Sequence, residues 1–249
     1  MVQSPLKNLN LPGLSFSLRV LFTGYLLTAG VGLMVAGVQI LLTHGMADGK
    51  AGLSVDDIVY SYYGNRTGSR LEIKLNGSMK DKAPVHVRKD IIKWVRHGST
   101  EEGWKAGVQQ DFQTYCVKCH GVIPGLPDFR SLAGVKPSAN IDKGESIQAL
   151  TAVSHVHLFG IGFIFFMIGL VFSMAVRISP LVKGLLIFIP FLFLLVDIAS
   201  WWLTKFYPGF AWVTIVVGTT YMLCTAAMIL ISLWQMWIMP KTYSAEVAE

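Results

Sequence analysis

Four stretches of this chain show no alternation of apolar and polar positions; they are apolar on every side. From Val20 to Thr43 there is no Asp, Glu, Lys or Arg. A helix of that length rises about 36 Å at 1.5 Å per residue, enough to cross a hydrocarbon core of about 30 Å. A second uncharged run lies between Glu145 and Arg177, a third between Lys183 and Lys205 interrupted only by Asp197, and a fourth between Lys205 and Lys241. The pattern predicts transmembrane helices over 20–43, 151–176, 183–204 and 209–238. Residues 44–150 between the first two return to a mixed pattern. There Val87 to His97 carries Ile91, Ile92, Trp94 and Val95 among charged residues, as a half-buried helix would. The expected fold class is therefore mainly α, with four spans and a small, mostly helical domain inserted between spans one and two.

Composition agrees. The 249 residues are 53% hydrophobic and 14% charged, with a mean hydropathy of +0.51, which excludes an ordinary soluble enzyme. A disordered chain is excluded by the same apolar content, and three cysteines cannot staple a disulfide scaffold. A cleaved leader is a poor account of the first run, whose apolar stretch exceeds the 7–15 residues of a typical leader core and precedes no small-residue cleavage site.

Basic residues near the span ends set the expected orientation. Lys7 and Arg19 precede span one, Arg177 and Lys183 separate spans two and three, and Lys241 follows span four. All fall on one side, so both termini, 1–19 and 239–249, are expected in the cytoplasm and residues 44–150 outside it. That domain holds 15 Lys and Arg against 12 Asp and Glu between His44 and Gln148, too mixed a balance for a nucleic-acid partner. Trp201, Trp202, Tyr207 and Trp212 flank the outer loop, as interfacial aromatics do.

Cys116-Val117-Lys118-Cys119-His120 is a C-x-x-C-H motif, in which two thiols form thioethers to a haem and the adjacent imidazole becomes its proximal iron ligand. One helical turn places both sulfurs at the haem edge. Zinc would need further ligands, and the remaining cysteine, Cys224, lies inside span four. A disulfide fits an exported domain but leaves His120 unexplained. The expected position outside the cytoplasm is where bacterial haem attachment occurs.

Around the motif the chain resembles the class I cytochromes c. Gly107-Val108-Gln109-Gln110-Asp111-Phe112-Gln113-Thr114-Tyr115 looks like their N-terminal haem helix, with Phe112 on the side of Cys116, and Leu126-Pro127-Asp128-Phe129 is similar to their proline-containing proximal loop. In that family a downstream methionine supplies the second iron ligand before a C-terminal helix. Here no methionine or histidine occurs between Gly121 and Thr151. The counterpart lies upstream: Asn76-Gly77-Ser78-Met79, Pro84 and the helix from Val87 to His97 resemble the ligand loop and terminal helix in permuted order. Gly98 to Gly103 would be the new link, joining chain ends that lie close in the family. The resemblance implies one covalent haem c, held by Cys116 and Cys119, with His120 proximal and Met79 the candidate distal ligand; methionine raises the potential relative to a second histidine.

His44, His155 and His157 fall at the outer ends of spans one and two and are rival ligands, whereas His86 and His97 fit surface positions. Asp197 is an intramembrane carboxylate about 12 Å of helix before Lys205, at a depth similar to His157. His155 or His157 with Asp197 would suit a quinol, whose oxidation releases two protons beside two electrons. His44, His155, His157 and Asp197 together would also suit a second metal, and the sequence leaves the choice open. Arg66 and Arg70, in the block Ser61 to Arg70, are either partners for haem propionates or residues of a solvated turn.

Over its whole length the chain looks like a group of four-span proteobacterial membrane proteins with one exported c-type haem, through the blocks Tyr62-Tyr63-Gly64-Asn65-Arg66-Thr67-Gly68 and Val153-Ser154-His155-Val156-His157-Leu158-Phe159-Gly160. The expected function is electron transfer at the periplasmic face of a bacterial inner membrane, as a relay or subunit of a larger respiratory complex, since one haem moves one electron at a time. Lipid and a protein redox partner are the expected partners. Two alternatives remain: a quinol dehydrogenase using the His and Asp pocket, and an accessory subunit that docks to a respiratory, oxygenase or photosynthetic assembly.

Overall fold

The computed structural model describes residues 9–43, 45 and 52–239. His44 and most of the expected cytoplasmic tail lie outside the described residues. The chain is mainly helical, and among the described residues its β structure is one isolated bridge, Ser69 to Ile141. It divides into two compact units: residues 1–40, 147–203 and 209–249 form one, and residues 41–146 with 204–208 the other.

Among the described residues the larger unit holds four helices long and apolar enough to span a membrane: α1 (Phe16–Thr43), α9 (Ile147–Ser173), α10 (Pro180–Phe206) and α11 (Ala211–Trp237). All four expected spans are present, with shifted ends. Arg19, expected as a flanking charge, lies inside α1 and is buried. Its guanidinium donates to backbone carbonyls of Leu14 (3.0 Å), Met236 (2.6 Å) and Pro12, so it meets oxygen dipoles in place of water. Lys183 likewise lies inside α10, which starts at Pro180, a residue suited to a first helical position. Its Nζ donates to the carbonyls of Ser173 (3.2 Å) and Ala175, just past the end of α9, where unpaired carbonyls favour a cation. Gln235 closes the same end by exchanging two 2.8 Å hydrogen bonds with the backbone of Val176. Leu11, Leu14, Leu26, Phe172, Met228 and Met236 fill the core there. Outward, Val31, Met34, Phe159, Phe163, Leu223 and Leu230 are exposed, an arrangement suited to lipid and costly in water.

Among the described residues the smaller unit holds seven short helices. Four of them are α2 (Val55–Tyr62), α3 (Arg70–Asn76), α4 (Val85–Arg96) and α5 (Glu101–Gly103). A π-turn over Trp104–Val108 leads into α6 (Gln109–Tyr115), α7 (Val117–His120) and α8 (Leu132–Ala139). Side-chain oxygens of Ser54, Ser69, Thr100 and Ser131 cap α2, α3, α5 and α8. Trp94, Trp104, Phe112 and Phe129 form an aromatic core, with Trp94 5.7 Å from Trp104 and 6.3 Å from Phe112 between ring centroids.

The block from Tyr62 to Arg70 is a backbone knot. Asp142 N–H donates to Gly68 O and Arg66 N–H to Asp142 O, while the Asp142 carboxylate takes Arg70 Nε at 2.9 Å and Gly144 N–H at 3.0 Å. Gly64 (φ +83°) and Gly144 (φ +68°) touch backbone to backbone; a Cβ on either would overlap the other strand of the knot. Arg66 lies over the Tyr63 ring at 3.7 Å and donates to the carbonyls of Tyr63 and Lys205. Both arginines are exposed in this turn, as the solvated-turn reading expects, and each is also bonded within the knot.

Candidate functional site

The Cys116–His120 turn is positioned by the aromatic core. Phe112, fully buried, stands one helical turn before Cys116, whose N–H donates to the Phe112 carbonyl at 2.9 Å. The chain breaks helix at Cys116 and resumes for one turn, with N–H groups of Cys119 (3.2 Å) and His120 (2.9 Å) both donating to Cys116 O. Cys116 is half-buried against the core, Cys119 is exposed, and neither is in a disulfide. Burial pushes the Cys116 thiol up to about 11, helped by the negative charge of Asp111. Asp111 is itself raised by burial and by Asp90, with His86 opposing.

His120 is oriented on two sides. Its ring lies flat on Phe129, 4.3 Å between centroids and 11° between planes, and its Nδ1 is 3.2 Å from the carbonyl of Pro127. A carbonyl only accepts, so Nδ1 carries the proton and Nε2 keeps its lone pair for a ligand. Phe129 N–H in turn donates to His120 O at 2.9 Å. The loop is held below by Arg130, which grips Asp128 through several hydrogen bonds and draws its carboxyl down to about 2. Val122, Ile123 and Leu126 stand exposed beside the turn. Two unpaired thiols, an imidazole with an oriented Nε2 and flanking apolar side chains fit a covalently held haem.

Met79 is half-buried in the turn after α3; its N–H donates to Lys74 O at 2.8 Å, and it lies outside the aromatic core that holds Cys116. His97 is exposed with Nδ1 2.7 Å from Lys93 O, and His86 is exposed in the first turn of α4.

In the larger unit, Asp197 of α10 is 3% exposed. Trp201 Nε1 donates to its Oδ1 at 3.0 Å, and the Tyr221 hydroxyl of α11 donates to its Oδ2 at 3.3 Å. His157 of α9 places its ring edge-on against Trp201, 5.2 Å between centroids and 84° between planes. Its Nδ1 donates to Val153 O at 2.9 Å, leaving Nε2 with no hydrogen-bond partner among the described residues. His155 is exposed and packs against Phe159 at 5.0 Å. His157 and Asp197 thus share one neighbour, and His155 turns elsewhere. Among the described residues no group of three or more His, Cys, Asp or Glu side chains is placed to hold a metal ion.

Residues 135–243 match a family model described as a transmembrane helical domain. The match runs from the second half of α8 through α9, α10 and α11 and does not include the Cys116–His120 turn. No curated protein and no solved structure matches the chain.

The roles of three residues escaped sequence reasoning. Tyr221 lies 24 residues beyond Asp197, and no local spacing connects them. Trp201 and Trp202 were expected as interfacial aromatics, yet Trp201 turns to Asp197 and Trp202 donates to Ser154 Oγ at 3.0 Å. The i, i+4 spacing of Asp197 and Trp201 on one helix was a usable signal.

Proposed function

We propose that this chain is a membrane-integral monohaem cytochrome c that relays electrons at the periplasmic face of a bacterial inner membrane, with both termini cytoplasmic. The observation that carries the proposal is His120: an imidazole stacked on Phe129 with Nδ1 held by Pro127 O, next to two unpaired thiols. Cys116 and Cys119 would hold the haem through thioethers and His120 Nε2 would ligate its iron. The haem supplies reversible one-electron transfer when bound.

This chain's own residues supply the rest. Pro127 O fixes the tautomer and ring orientation of His120, which leaves Nε2 free as a ligand. Phe112, Phe129 and Trp104 exclude water behind the turn. The packing of Trp94 of α4 on Trp104 and Phe112 supports the permuted order, in which α4 stands for the family's terminal helix crossing its haem helix. Met79 is the candidate distal ligand on that order.

The test is expression of the full chain with a c-type haem attachment system, followed by haem staining under denaturing conditions. Covalent haem is expected in the natural chain and is expected to be lost when Cys116 and Cys119 are both changed to alanine. Met79→Ala is expected to keep the covalent haem and lose the methionine-to-iron absorption of the oxidised protein. A natural chain without covalent haem overturns the proposal, and an unchanged Met79→Ala spectrum moves the distal ligand elsewhere.

A further inference from the structure

The membrane unit holds a cluster that the haem turn does not use, and its chemistry is specific. Asp197 is a carboxylate buried in a candidate span, and both of its bonded donors are neutral: the Trp201 indole and the Tyr221 hydroxyl. A carboxylate accepts about four hydrogen bonds, two per oxygen, so two acceptor positions remain. The Tyr221 bond, at 3.3 Å, is the longer of the two and the one that an incoming hydroxyl would most readily replace. His157 meets the same indole edge-on at 5.2 Å, with Nε2 as an acceptor that no described residue uses. Tyr221 also meets Phe165 at 5.6 Å, so the cluster is walled by aromatic faces.

From this we propose that Asp197, Tyr221, Trp201 and His157 form a binding site for the hydroquinone headgroup of a lipid-soluble quinol. The site offers two acceptors for two hydroxyls and aromatic faces for the ring between them. Its ligand must partition into hydrocarbon, because the spans present apolar side chains outward. An ionisable group at this depth is costly to keep, and a proton-exchanging role would account for its presence.

For its electron acceptor the inference rests on the proposed haem relay. Oxidation of one bound quinol breaks two O–H bonds; one proton passes to the Asp197 carboxylate and one to His157 Nε2. The two electrons would leave one at a time to a one-electron acceptor, chemistry that a haem held by Cys116, Cys119 and His120 would supply, with a one-electron protein acceptor taking them onward.

The experiment uses the full chain in lipid nanodiscs, titrated with decylubiquinol and followed by tryptophan fluorescence. Saturable quenching is expected in the natural protein. Asp197→Asn and His157→Phe are each expected to weaken binding at least tenfold, Asp197→Glu to restore part of it, and His155→Phe, on a different face, to leave it unchanged. The double variant Cys116→Ala, Cys119→Ala, which cannot hold haem covalently, is expected to bind as the natural chain does, so a failure of the haem proposal is seen separately from a failure of this site. Reduction of the haem by the quinol, lost in Asp197→Asn, would join the two. Equal quenching in the natural chain, Asp197→Asn and His157→Phe, or none in the natural chain, overturns the site. Should Asp197→Asn fail to fold, His157→Phe decides alone, because its ring is partly exposed and makes one backbone hydrogen bond.

Discussion

In the smaller unit Asp142 meets a guanidinium, Arg70 Nε at 2.9 Å, together with the N–H of Gly144; in the larger unit Asp197, among the described residues, meets an indole and a phenol. The cations differ in the same way. Arg96 and Arg130 find Glu72 and Asp128, whereas Arg19 and Lys183 find backbone carbonyls. Where water is available, opposite charges pair and screen one another. Inside an apolar unit, a charge is met by dipoles that the fold already has to spare, chiefly the unpaired carbonyls near helix ends. The consequence is structural: Asp142 is tied to a cation within the knot, while Asp197 is held by neutral donors on α10 and α11.

The largest expected effect falls on the smaller unit. Gly144→Ala places a Cβ against Tyr62 O and Gly64 N at a positive φ, and is expected to cost about 2–4 kcal/mol, read as a lower thermal midpoint in the near-ultraviolet signal of the tryptophan cluster. In the larger unit Arg19→Met strands the carbonyls of Leu14, Met236 and Pro12, and a loss of about 2–3 kcal/mol is expected on unfolding in mixed micelles. Arg70→Gln removes a half-exposed ion pair, and the expected loss is smaller, about 0.5–1 kcal/mol. If Arg70→Gln costs more than Arg19→Met, the contrast between the units fails.

Two titrations sharpen the smaller unit further. In protein made without haem, Cys116 is raised by burial to about 11, so its alkylation by iodoacetamide should lag that of exposed Cys119 at pH 8 and quicken as pH approaches 11. The folded state keeps that proton while the unfolded chain releases it near pH 9, so stability should fall as pH rises from about 9 to 11. Asp128 has the opposite sign: its carboxyl, drawn to about 2 by Arg130, favours the fold above the ordinary carboxylate range and loses that effect as pH falls toward 2. Arg130→Gln should return Asp128 toward its ordinary titration, seen by carboxyl NMR, with little change in stability because the pair is on the surface.

Four spans and the C-x-x-C-H turn were legible because each is local: an uncharged run of twenty or more residues, and five consecutive residues. The apolar runs misplaced the span ends, since Arg19 and Lys183 look like boundary charges until their carbonyl partners are known. The pairing of Gly64 with Gly144, eighty residues apart, and of Asp197 with Tyr221 on another helix, is set by tertiary packing and leaves no spacing to read. Pro127 was legible as part of a proline loop, but the bond from His120 Nδ1 to its carbonyl required the loop's path.

The most direct measurement on the central claim is the haem content of the purified full chain, by pyridine haemochrome spectrum after denaturation and solvent extraction. The account predicts one c-type haem per chain that resists extraction. A chain that releases its haem to the solvent, or carries none, contradicts it.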